Sequence, residues 1–195
     1  MGRDLKIVDL KRKFDHLAAF ALKAEIQACF QLLYAFRMSL VRFLMLLSLV
    51  VWVGGIIFFA FVLAPAVFGV LPSRHLAGSV VSRALTALHW MGIVSGVVFV
   101  ITSMIYSRFN TGTPNPLAVR HVLIFAMIAL TLISQFSIAS KMIVLRTQMG
   151  VIDDVPPEDA RRVEFDRLHH WSVRFESTVL LLGLAVLFLT ARRMT

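Results

Sequence analysis

The chain has 195 residues, 58% hydrophobic and 16% charged, with a net charge of +9. Its mean hydropathy is +0.81. This excludes an ordinary soluble domain, in which about 45–50% of residues are apolar and about 25% charged, and it excludes disorder, whose signature is low hydrophobicity. In a soluble protein the charge would suggest nucleic acid. Here the basic residues flank apolar runs, which is the pattern of membrane anchoring, so the partners implied are the bilayer and its anionic headgroups.

Residues 1–37 form the first segment. Leu5, Val8, Phe14, Leu17 and Ala21 alternate with Lys6, Lys11, Arg12, Lys13 and Lys23, which reads as a basic amphipathic helix on a membrane surface. Met38-Ser39-Leu40-Val41-Arg42, running straight into an apolar stretch, also reads as a translation start. Cys29 is the one cysteine, so no internal disulfide forms and no cysteine-based metal site is expected.

Four stretches are long and apolar enough to cross a bilayer, which takes about 20 residues. They run over about 43–70, 84–106, 121–145 and 172–191. Pro72 and Arg74 close the first, Arg108 and the Pro/Asn-rich segment 110–116 close the second, Arg146 the third, and Arg192 with Arg193 the fourth. Backbone polar groups find no water in lipid, so each span is expected to be helical. The expected fold is all-α: an integral membrane four-helix bundle over residues 38–195, behind the basic N-terminal helix. An even number of spans puts both termini on one side, and the basic arm favours the cytoplasm. Four helices make a thin barrier, so a homo-oligomer or a larger membrane complex is a natural partner.

Pro65 is expected to kink the end of the first span. Gly54 and Gly55 in that span, and Gly92 and Gly96 in the second, allow helices to approach closely. In the third span Thr131, Ser134, Gln135 and Lys141 lie on one face and predict a polar interior stripe. Asp153, Asp154, Pro156 and Pro157 signal a helix start that runs through His169 into the fourth span. One turn into that span stands Glu176, expensive in lipid and therefore a functional candidate. Its expected partners are Lys141 or Arg83.

Helix order places Pro65, Arg74, His75, Gly78, Arg83, His89, Lys141, Arg146 and His169 at one membrane face. This predicts a polar, basic pocket there, made by Arg74, His75, Arg83, His89, Lys141, His169 and Glu176 and suited to an anion. His121 falls at the opposite face. Two imidazoles on neighbouring helices can ligate haem iron or another metal, so His89 and His169 carry a second reading, a haem-binding redox protein. No nucleotide-binding, nucleophile-elbow or zincin motif is present, which favours a non-enzymatic protein without a cofactor. A third reading is a structural subunit of a membrane complex, with the Gly92 and Gly96 face as its interface.

Trp52-x-Gly54-Gly55, Phe58-Phe59, Ala64-Pro65-x-x-Phe68 and Ala77-Gly78 form one group of motifs. Phe165-x-x-Leu168-His169-x-x-Ser172 introduces the last span. As a set, over residues 40–191, these resemble the family of four-span proteins named after transmembrane protein 205. The resemblance implies a four-span membrane fold and assigns no reaction.

Overall fold

The computed structural model describes residues 2–111 and 118–192, and the side chains of residue 20, residues 22–109 and residues 118–192. The apolar positions Leu5, Val8, Phe14, Leu17 and Ala21 of the arm, the segment 110–116 and Arg193 lie outside the residues whose side chains are described.

Among the described residues every regular element is helical. Helix α1 covers Gly2–Phe58 and passes through a π turn, Phe59–Leu63, into α2, Ala64–Val70. Helix α3 covers Arg74–Thr111. Helix α4, Val119–Ile133, widens into a second π turn, Ser134–Ala139, and continues as α5, Ser140–Met149. A 3-10 turn at Ile152–Asp154 leads to α6, Ala160–Ala191. Four of these helical stretches, Leu22–Val70, Arg74–Phe109, Val119–Met149 and Ala160–Ala191, are long and apolar enough to cross a membrane.

The chain forms two compact units, Met1–Val41 and Arg42–Thr195. In the first, Phe20, Ile26, Phe30, Leu33 and Phe36 are exposed. The second is the bundle. Its core is Met45, Leu49, Trp52 and Ile56 from α1, Leu88 and Phe99 from α3, Ile124 and Met127 from α4, and Val179 and Val186 from α6. Lipid tails are as apolar as these side chains, so close packing rather than escape from water holds the helices together.

The glycines make that packing possible. A Cβ on Gly92 would overlap the Trp52 indole, and one on Gly96 would stand 2.7 Å from Trp52 Cζ3. The two glycines, one turn apart, are the notch in α3 that receives Trp52. Gly183 does the same on α6, where a Cβ would come within 2.7 Å of Val53 Cγ2. The expected kink at Pro65 takes the form of the first π turn. Ala64 N–H donates to Phe59 O, five residues back, and the proline, which has no N–H to donate, follows directly at the start of α2.

Arginines fasten the connections at the end where α3 starts and α5 stops. Arg146 Nη1 donates to Gly78 O at 3.0 Å, and its guanidinium lies 5.5 Å from the centre of the Phe165 ring. Arg162 Nη1 donates to Ile152 O at 2.9 Å and Val155 O at 2.7 Å, and Arg161 Nη1 to Gln148 O at 3.2 Å. Asp159 caps α6 by accepting from Arg161 N–H at 2.8 Å. Its carboxyl is held down at about 2 by the Arg161 side chain and then by that backbone N–H.

Candidate functional site

Among the described residues, the bundle interior carries an ionisable pair, His89 and Glu176. His89 on α3 is 2% exposed. Its Nε2 stands 2.5 Å from Glu176 Oε1 on α6, and its Nδ1 2.7 Å from Gln135 Oε1 on the second π turn. Three helices are thus joined through one imidazole. Helix order explains the meeting. Helices α3 and α6 run in the same direction and α4 runs against both, so a position five residues into the second apolar run levels with one late in the third and one early in the fourth.

The proton inventory of the pair follows from the acceptors. With the Gln135 oxygen at Nδ1, that nitrogen must donate. The remaining proton then lies between Nε2 and the Glu176 carboxyl. As imidazolium and carboxylate, or as imidazole and carboxylic acid, the pair holds the same protons and is neutral as a whole. That neutrality lets two ionisable groups sit at membrane depth, because an isolated charge there is far costlier. Losing the shared proton would leave a net negative charge beside Gln135. The site can therefore bind a proton or a small cation, or exchange a proton with a ligand carrying donor and acceptor groups.

The second π turn sets this geometry. A π turn takes in an extra residue, which slips the side-chain phase beyond it by roughly 100° relative to a regular helix. Thr131 and Ser134 are buried and Gln135 reaches His89, but Lys141, beyond the turn, is exposed. The expected straight stripe from Thr131 to Lys141 is therefore broken at the turn. Ser134 Oγ is buried and has no hydrogen-bond partner.

The other predicted pocket residues distribute differently. Glu176 pairs with His89 and not with Lys141 or Arg83, both exposed. Arg74 is exposed at the start of α3. His75 donates its backbone N–H to Asp153 Oδ2 at 3.3 Å. Lys141 borders a shallow cleft of about 350 Å³ with Ser140, Val144, Leu145, Glu164 and Leu168. His169 is exposed, two turns before Glu176 on α6, its ring edge-on to His170 at 6.3 Å. So His89 and His169 are not brought together, because His89 meets α6 at Glu176, seven residues or about 10 Å along the helix from His169. Among the described residues no group of three or more His, Cys, Asp or Glu side chains is placed to hold a metal ion.

Among the motif residues, Trp52, Gly92 and Gly96 form the notch described above, and Gly55 meets only the flexible ends of Leu88 and Met91. Nothing lies within 4 Å of a Cβ on Gly54. Gly78 receives Arg146: a Cβ there would stand 3.0 Å from Arg146 Nη2. Phe59 packs against the core, Phe68 is exposed, and Leu168 and Ser172 are buried.

A second polar layer escaped the sequence reading. Stepping fourteen residues along each helix from His89, Gln135 and Glu176 arrives at Ser103, His121 and Thr190. His121 Nε2 and Ser103 Oγ are 2.8 Å apart and fully buried. At 1.5 Å per residue the layers lie about 21 Å apart, with the Trp52, Gly96 and Gly183 packing between them. The repeat of polar positions at two heptads on three helices was the signal available in the sequence.

The protein is an all-α membrane bundle organised around a buried His–Glu pair. The family model for the domain of unknown function DUF4149 matches residues 47–150, more than half of the chain, and the protein belongs to that family. No curated protein and no solved structure matches the chain.

Proposed function

We propose that this protein is a non-enzymatic membrane protein of the binding or transport-accessory kind, whose working site is the Gln135–His89–Glu176 triad. One observation carries the reading: an imidazole 2% exposed, 2.5 Å from a carboxylate of another helix, inside a span. Ionisable groups at that depth are costly and are functional candidates by default. A π turn at the site adds weight, since such turns are frequent at functional positions. The partners of His89 are a carboxylate and an amide, which suit reversible binding and proton exchange rather than covalent attack. The exposed Arg74, Arg83 and Lys141 make a basic rim on the same face, where an anionic ligand would be drawn in.

The finer kinship, with the transmembrane protein 205 family, rests on the Trp52-Gly55, Pro65-Phe68, Gly78 and Phe165-Ser172 motifs. A cytoplasmic address for both termini rests on the basic arm, with Lys6, Lys11, Arg12, Lys13 and Lys23.

The test is mass spectrometry of small molecules that co-purify with the full chain. Wild type and His169→Ala are expected to carry a compound that His89→Asn and Glu176→Gln lack. The same profile in all four would overturn the assignment of the site.

A further inference from the structure

Helix α1 carries two apolar seams, and the bundle occupies one of them. Met45, Leu49, Trp52 and Ile56 are spaced by alternating steps of four and three residues and are buried in the core with side chains of α3, α4 and α6. A second series has the same alternation, two residues out of phase. In the first unit it comprises Leu22, Ile26, Cys29, Leu33, Phe36 and Leu40, all exposed. In the sequence it continues through Phe43 and Leu47 to Val50, which are exposed in the bundle unit. The alternation is unbroken over roughly four heptads, enough to mark a coiled-coil seam.

The polar residues respect the same period. Lys23, Glu25, Gln27, Gln31, Arg37 and Ser39 all fall off the series. The three charged ones stand directly beside it, at the positions that flank the apolar seam of a coiled coil. The helix is also longer than a span requires. The stretch Leu22–Val70 has 49 residues, roughly 70 Å of helix against a hydrocarbon core about 30 Å thick.

The period identifies the occupant. A lipid surface asks for a broad apolar face and sets no 3.5-residue repeat. A second helix does, because that repeat keeps the seam facing its partner as the two wind around each other. The Gly92 and Gly96 face, expected from the sequence to hold a partner, is filled by Trp52 of the same chain. Copies of one chain take one orientation in a membrane, since the same basic residues set it, so their α1 helices run parallel.

We infer that residues 22–40 pair with the same residues of a second copy as a parallel coiled coil, with Leu22, Ile26, Cys29, Leu33, Phe36 and Leu40 as the seam. This surface is separate from the His89 triad and does not depend on its function.

Cys29, the one cysteine of the chain, makes the test direct. In register it stands opposite its own copy, and a disulfide forms only where the two Cα atoms come within about 7 Å. The full chain in lipid vesicles is oxidised with copper phenanthroline, and the disulfide dimer is read on a non-reducing gel. Wild type and Cys29→Ser/Leu33→Cys are compared with Cys29→Ser/Gln31→Cys, whose thiol lies on the far side of the helix. All three positions are exposed, so folding is retained. The two seam thiols are expected to cross-link about tenfold faster than the third, because pairing raises the effective concentration of facing groups alone. Diluting the protein with excess lipid is expected to leave the seam rates unchanged. Equal rates at positions 29 and 31, or rates that fall with dilution, would show random collision and overturn the pairing. No dimer at any of the three positions would also overturn it, and is the result expected if this segment lies alone on the lipid surface.

Discussion

His89 and Glu176 are 87 residues apart in the chain and 2.5 Å apart in the bundle. Removing one member of a buried pair strands the other. Glu176→Ala is therefore expected to destabilise by about 3–5 kcal/mol. Glu176→Gln keeps a hydrogen-bonding group and is expected to lose about 1–3 kcal/mol. His169→Ala, at an exposed position, should stay within about 0.5 kcal/mol of wild type. Reversible unfolding in mixed detergent micelles measures all three.

The Trp52 notch makes the glycines unequal. Gly96→Leu drives a side chain into the indole and is expected to cost about 1–3 kcal/mol or more. Combined with Trp52→Ala, the same substitution should cost less than the sum of the two singles, because they occupy one volume. Gly54→Ala meets open space in a helix and should be neutral or stabilising, by about 0.5–1 kcal/mol. Thermal midpoints of the four variants decide between these outcomes.

Arg146 links α5 to the first turns of α3 through Gly78 O at 3.0 Å. Arg146→Ala leaves that carbonyl without its donor and is expected to cost about 1–3 kcal/mol. Arg146→Lys should recover only part, since an ammonium does not reproduce the fork that also lies over Phe165. Arg83→Ala, at an exposed position, is the reference and should be near zero by the same unfolding assay.

Asp159 sets a pH window outside the membrane. Its folded value, about 2, lies below the ordinary carboxyl value of 3.8. The carboxylate therefore stabilises the folded state fully above about pH 4, and this contribution fades as pH falls through 2. The midpoint of Asp159→Ala should lie below that of wild type at pH 6, and the gap should close near pH 2. A gap that is constant with pH would show that the cap acts without its charge.

The sequence reveals the spans better than the contacts. Apolar runs mark where the chain meets lipid, so they locate four helices but understate them. Helix α3 begins at Arg74, before the apolar run that opens near Ala84, because helicity continues into a polar segment that hydropathy does not score, whereas the start of α6 at Ala160 follows the signal at Pro156 and Pro157. Glu176 was legible as costly. Its partner His89 was not, because apolar runs locate α3 and α6 without showing which of their faces meet, and the place of Gln135 beside them was hidden by the π turn that breaks the 3.6-residue period before Lys141. The partners of the basic residues were hidden for a different reason. Counting arginines shows charge but not which carbonyls they serve: Arg146 serves Gly78 in α3, Arg161 serves Gln148 in α5, and Arg162 serves Ile152 and Val155.

The most direct test is a double-mutant cycle between His89→Asn and Glu176→Gln, with unfolding free energies of the full chain measured in mixed micelles. A direct buried pair predicts a coupling of about 1–3 kcal/mol. A coupling within about 0.3 kcal/mol of zero would mean that the two side chains act independently, and the site built on them would be lost.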